Sequence, residues 1–125
     1  MARVLIVEDD IQVLMLAESV LQQAGHETLT AATVAEAQSI INSDKELDLV
    51  FTDVQLSNHP EGGITIGKLM TPRRGTPVLY TSGRAATDGM QSLFVEPSAF
   101  LPKPYMADQL TSAVADLLAK RSPPG

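Results

Sequence analysis

Four carboxylates, one lysine and a pair of hydroxyls stand where they could act together. Glu8-Asp9-Asp10 follows the apolar run Val4-Leu5-Ile6-Val7, and Asp53 comes soon after Leu47-Asp48-Leu49-Val50-Phe51. Thr81-Ser82-Gly83 ends the segment that begins at Pro77, and Lys103 follows Ala99-Phe100-Leu101. Carboxylates gathered within a few ångströms repel, and at neutral pH they stay ionised only beside a cation. Two or three such oxygens with room for water suit Mg²⁺. A lysine and a hydroxyl complete a phosphoryl clamp, in which the cations neutralise charge on the moving group and the hydroxyl takes a remaining oxygen. No glycine-rich loop follows the first run, so a nucleotide would lack its usual cradle. The group is expected to arrive on a protein rather than on a nucleotide.

These residues are remote in sequence, so the elements between them must bring them together. Val4–Val7 reads as a strand buried on both faces. From Ile11 to Ala24, Val13, Ala17, Val20, Leu21 and Ala24 fall on one helical stripe, and Gly25 sits at the C-cap. Glu27–Ala31 reads as a second, weaker strand, and Thr33-Val34-Ala35-Glu36 as a capping box opening a helix with Ala37, Ile40 and Ile41 inward. Leu47–Phe51 and Pro77–Thr81 read as the third and fourth strands, with a short helix over Ile64–Met70 between them. Ala85–Leu93 reads as a helix cut short by Glu96-Pro97, and Ala99–Leu101 as a fifth strand. A last helix carries Met106, Leu110, Val114, Leu117 and Leu118. Five βα units in succession imply a parallel sheet with helices on both faces and a site at the carboxyl ends of its strands. The polar chemistry sits at those ends.

Composition narrows the function classes. The 125 residues suit one domain, and 44% apolar with 19% charged residues is ordinary globular composition. There is no cysteine, which excludes disulfides, thiolate zinc sites and a cysteine nucleophile. Nine basic against fifteen acidic side chains give a charge of −6, a poor match to nucleic acid or an anionic membrane. The apolar runs are too short for a membrane span, and the start of the chain is badly flanked for a signal peptide. A cytoplasmic location is expected.

The chain resembles a response-regulator receiver domain of two-component signalling over essentially its whole length. The resemblance rests on Val4-Leu5-Ile6-Val7-Glu8-Asp9-Asp10, Asp48-Leu49-Val50-Phe51-Thr52-Asp53, Pro77-Val78-Leu79-Tyr80-Thr81-Ser82-Gly83 and Phe100-Leu101-Pro102-Lys103-Pro104. Each segment is weak alone; four in order at four strand ends are specific. The resemblance implies a flavodoxin-like three-layer α/β sandwich, its five parallel strands in the order 2-1-3-4-5, over residues 1–121 with a tail at 122–125. It implies that Asp53 accepts a phosphoryl group from a phosphohistidine of a partner histidine kinase or phosphotransfer protein. Glu8 and Asp9 match the acidic pair that holds Mg²⁺ with Asp53 and the backbone carbonyl of Gln55. Ser82, five residues beyond Pro77, takes the switch-hydroxyl position in preference to Thr81, and Lys103 the phosphoryl-binding position. Phe100 takes the place of the switch aromatic, and Lys103-Pro104 that of a cis peptide. On this reading the domain catalyses only its own phosphorylation and hydrolysis. Gln55 and Arg84, each two residues past a site position, are expected to line the path of the hydrolytic water and set the phosphoryl lifetime.

The loop Leu56-Ser57-Asn58-His59-Pro60-Glu61-Gly62-Gly63 is longer and more polar than the common version. The chain stops after its fifth helix without a DNA-binding module, so direct transcriptional output is not expected, and the output partner is an unnamed protein. Two other readings share the fold: a phosphorylation-independent interaction module, and a small Mg²⁺-dependent phosphatase or phosphotransferase using Asp53. The second would need a further catalytic acid and a cap, for which there is no room. Several residues have plainer readings. Asp10 caps the first helix, His26 and His59 are surface histidines, Arg73-Arg74 a solvated turn and Tyr105 a packing residue.

Overall fold

Short β-branched and leucine-rich runs, each followed by a helix, wind this chain into a single sheet. The computed structural model describes residues 2–57, 59–73 and 75–120. Its strands are β1 (Arg3–Val7), β2 (Glu27–Ala31), β3 (Leu49–Asp53), β4 (Val78–Ser82) and β5 (Ser98–Pro102). They are all parallel, in the order β2-β1-β3-β4-β5. Between and after them run α1 (Ile11–Gln23), α2 (Val34–Ile41), α3 (Gly62–Leu69), α4 (Asp88–Gln91) and α5 (Ala107–Lys120). The three-layer sandwich and its strand order agree with the expected fold. The 122–125 tail, the end of the expected domain at residue 121, and Arg74 lie outside the described residues.

Successive strand residues face opposite ways, so each central strand feeds two cores. Leu5 and Val7 of β1 join Val50, Val78 and Tyr80 on the side covered by α2 and α3. Val4 and Ile6 join Leu49, Phe51 and Leu79 on the side covered by α1 and α5. β3 and β4 are buried along their full length, as continuous apolar runs in parallel sheets must be.

The caps lie where the sequence predicts, except that Glu36 reaches the Ala32 N–H in place of the Thr33 N–H of a reciprocal capping box. The Asp10 side chain accepts from the N–H groups of Gln12 and Val13 and starts α1. Thr33 accepts from the Glu36 N–H at 3.1 Å while Glu36 accepts from the Ala32 N–H at 2.6 Å. Gly25, at φ +95°, ends the α1 turn in a conformation that glycine adopts without strain.

Four expectations about the elements need correction. The inward residue of α1 is Leu14, with Ala17 and Leu21; Val13 and Val20 are half-buried and Ala24 is exposed. β3 starts two residues later than expected, because the Asp48 carboxylate turns back to accept from the Arg3 N–H at 2.8 Å. On α5 Met106 precedes the helix and is 68% exposed. The fourth helix shrinks to Asp88–Gln91, capped by Thr87, with residues 83–87 irregular.

Candidate functional site

The sheet register brings the chemistry together. Val7 pairs with Thr52 across β1 and β3, so Glu8 and Asp53 leave neighbouring strands at the same edge. Asp53 pairs with Thr81 on β4, and Ser82 with Pro102 on β5, which places Lys103 one residue further along. The Lys103 N–H donates to the Ser82 carbonyl at 3.0 Å and fixes the start of that loop. Its ammonium reaches back across the edge, 2.5 Å from Glu8 Oε1 and 2.7 Å from Asp53 Oδ2. Both carboxylates are almost fully buried, at 4% and 5% exposure. The expected cis peptide at Lys103-Pro104 is present, with a second at Glu96-Pro97.

Burial and pairing pull these ionisations in opposite directions. Burial pushes the Glu8 carboxyl up to about 7, against the lowering effect of the Lys103 hydrogen bond. Burial disfavours the Lys103 ammonium, but its bonds to Asp53 and Glu8 outweigh that and hold its pKa above the usual lysine value. Tyr105, beside the cluster, is pushed up to about 12 by burial and by the Glu8 charge. The Asp9 carboxyl is held below its usual range, chiefly by the Ser57 hydroxyl that donates to it.

Glu8, Asp9 and Asp53 each present an oxygen, all within 4.8 Å of one another. A hard, oxygen-seeking divalent cation fits such a donor set, with water or phosphate oxygens filling its remaining positions. The Gln55 N–H donates to Asp53 Oδ1 at 3.1 Å, so the backbone just past β3 curls around the same carboxylate.

The two hydroxyls separate clearly. Thr81 is committed to the sheet, donating to the Leu101 carbonyl at 2.6 Å. Ser82 instead faces the loop side, donating to Gln55 Oε1 at 2.7 Å and accepting from the Arg84 N–H at 3.0 Å. Gln55 and Arg84 line a cavity of about 340 Å³ between the β3–α3 and β4–α4 loops. Phe100 is half-buried and lies against Phe94, which in turn stacks on Tyr80 with centroids 3.9 Å apart.

The sequence pattern of the response regulator receiver domain family matches residues 4–115. The chain belongs to that family. A response regulator receiver protein from Sinorhizobium medicae WSM419, known from its crystal structure, superposes with a TM-score of 0.86 at 30% identity over 97% of each chain. Among curated relatives, the sensor kinase CckA of Brucella abortus (strain 2308) is 30% identical over 96% of this chain and 13% of its own length. The transcriptional regulatory protein YrkP of Bacillus subtilis (strain 168) is 29% identical over 90% of this chain and 47% of its own. The chain thus spans about half or less of the length of these two curated relatives. Membership places the receiver in two-component signalling, as a domain of the kind that takes a phosphoryl group from a histidine kinase.

Around the receiver's acidic edge, the other singled-out residues fall apart from the cluster. His26 is half-buried and accepts from the Ala2 N–H at 3.3 Å, while His59 is exposed. Arg73 is not a solvated turn residue: its guanidinium donates to the Ile41 carbonyl at 2.8 and 3.1 Å and to the Ser43 carbonyl at 3.0 Å, closing the end of α2. Sequence reasoning missed two features, the Ser57 contact with Asp9 and the Tyr80–Phe94 stack behind Phe100. The stack had a faint signal in three aromatics within 21 residues at the end of the sheet. Ser57 had none. Among the described residues no helix is long and apolar enough to cross a membrane.

Proposed function

We propose that Asp53 is the phosphoacceptor, taking the group from a phosphohistidine of a partner kinase or phosphotransfer protein and thereby switching a protein-interaction surface. A carboxylate oxygen of Asp53 attacks phosphorus, the P–N bond breaks, and the departing imidazole keeps the electron pair and takes up a proton. Hydrolysis reverses the state: water attacks phosphorus, the O–P bond breaks, and Asp53 leaves as carboxylate. Glu8, Asp9, Asp53 and the Gln55 carbonyl would hold Mg²⁺, which when bound offsets charge on the phosphoryl oxygens. Lys103 supplies the second positive charge, already 2.7 Å from the acceptor carboxylate. That buried bridge between Glu8 and Asp53 is the observation that carries the reading.

Ser82 is the hydroxyl that turns to the phosphoryl group, exchanging Gln55 Oε1 for a phosphoryl oxygen, and Phe100 is the aromatic that moves with it. Such a rearrangement is a two-state switch biased by local charge. Gln55 and Arg84 set the lifetime of the phosphoryl group, a role supported by the cavity they share beside the end of β3. Alanine at both positions changes the dephosphorylation rate if this is right and leaves it unchanged if it is not. The donor protein docks over the α1 side of the site. There an apolar cleft of about 430 Å³ is lined by Val13, Leu16, Gly83, Lys103, Pro104 and Tyr105.

Intact-mass spectrometry after incubation with Mg²⁺ and acetyl phosphate or phosphoramidate tests the proposal. A single phosphoryl adduct is expected, absent without Mg²⁺ and absent in Asp53→Ala. No adduct from either donor on folded protein would overturn it in favour of a phosphorylation-independent interaction module.

A further inference from the structure

The β3–α3 loop is built around a narrow turn. Leu56 N–H donates to the His59 carbonyl at 3.0 Å, and His59 N–H returns to the Leu56 carbonyl at 2.8 Å. The buried Leu56 side chain pins this frame to the core, and Gly62 closes it by donating to the same His59 carbonyl at 3.0 Å. The fit is close: a Cβ on Gly62 would lie 2.9 Å from Leu56 Cδ1. Ser57 stands on this frame and gives both of its donors to one acceptor. Its N–H reaches Asp9 Oδ2 at 3.0 Å, and its hydroxyl donates to the same oxygen.

Asp9 differs from the other two acidic residues in being more exposed to solvent. A carboxylate at such a position has rotamers to choose among, and two donors from a pinned turn remove that choice. Outer-shell hydrogen bonds of this kind orient metal-ligating carboxylates, and losing them typically weakens metal affinity about 10–100-fold.

The geometry points to Ser57 as a positioning residue for the cation site, one that holds Asp9 in its ligating orientation and ties the β3–α3 turn to Mg²⁺ binding. This rests on the Mg²⁺ reading above. It also accounts for the extended polar loop, which supplies a donor pair to a ligand 48 residues away.

An NMR titration of the full chain with MgCl₂ gives the affinity and follows the Ser57 amide directly. Ser57→Ala should bind Mg²⁺ about 10-fold more weakly or worse, at the low end of the outer-shell range because the backbone donor survives. Ser57→Thr keeps the hydroxyl and should stay near wild type. The unfolding midpoint in EDTA should be the same for all three proteins. Equal affinities for wild type and Ser57→Ala would overturn the positioning role, as would a loss shared by Ser57→Thr or accompanied by a lowered midpoint in EDTA. A wild-type protein that shows no Mg²⁺-dependent shifts overturns the underlying metal reading instead, and the two failures are told apart by that control.

Discussion

Burial holds the Glu8 carboxyl at about 7, although an ammonium lies 2.5 Å away. Two pH dependences follow. A folded-state pKa raised from 4.5 to about 7 means that the folded chain binds this proton more tightly than the unfolded chain does. Glu8 therefore makes metal-free stability fall as pH rises between those values, with its penalty complete above about 7. Denaturant titrations in EDTA across that window should show the decline, and Glu8→Gln should flatten it. A cation competes with the same proton, so Mg²⁺ affinity should climb towards pH 7 and level off beyond it; an affinity independent of pH would contradict the assignment. That Asp53 and Lys103 meet at one edge was legible because Asp53 ends an apolar strand and Lys103 directly follows a brief one. Ser57 was not legible, since polar loop residues follow no period and only the folded turn shows which way their donors point.

The elements explain where the sequence could be read and where it could not. Caps are local, so Asp10, Thr33 and Gly25 were identified from neighbouring residues alone. Boundaries set by distant partners were not. β3 is delayed by the bond between Arg3 and Asp48, 45 residues apart, and α1 turns Leu14 rather than Val13 to the core because of the sheet beneath it. α3 shows how tightly an element can be held to the site. Gly63 donates to the Val54 carbonyl at 2.9 Å, and a Cβ there would lie 2.3 Å from the Asp53 carbonyl oxygen. That oxygen belongs to backbone and has no room to yield. Gly63→Ala should cost roughly 1–3 kcal/mol or more, as overpacking of a well-filled interior does. It should also weaken phosphorylation, because the strand end it displaces carries Asp53; denaturant midpoints and the intact-mass assay report the two effects. By contrast Gly83 has open space around it, and Gly83→Ala should leave stability within about 0.5 kcal/mol.

At the scale of the whole molecule, stability is unevenly spread. β1, β3 and β4 carry the fully buried side chains shared by both cores, whereas residues 83–93 hold only a four-residue helix with no buried residue. Amide exchange should be slowest in those three strands and fastest over 83–93, the segment that adjoins Ser82 and Phe100; uniform protection would argue against this segment as the moving part. Mg²⁺ should stabilise the entire fold by mass action, about 2.7 kcal/mol at a hundredfold excess over its dissociation constant. Asp53→Asn should show a smaller gain in a thermal melt. Lys103 adds a consequence that concerns the life of the chain. Its ammonium joins partners 95 and 50 residues earlier, and it follows β5, the outer strand beside β4. A nascent or clipped polypeptide that stops before Lys103 keeps Glu8 and Asp53 at the edge of β1 and β3 without the ammonium that bridges them. On the function proposed above, only a chain synthesised through Lys103 can take up the phosphoryl group, so a copy cut short before it would stay silent to its stimulus.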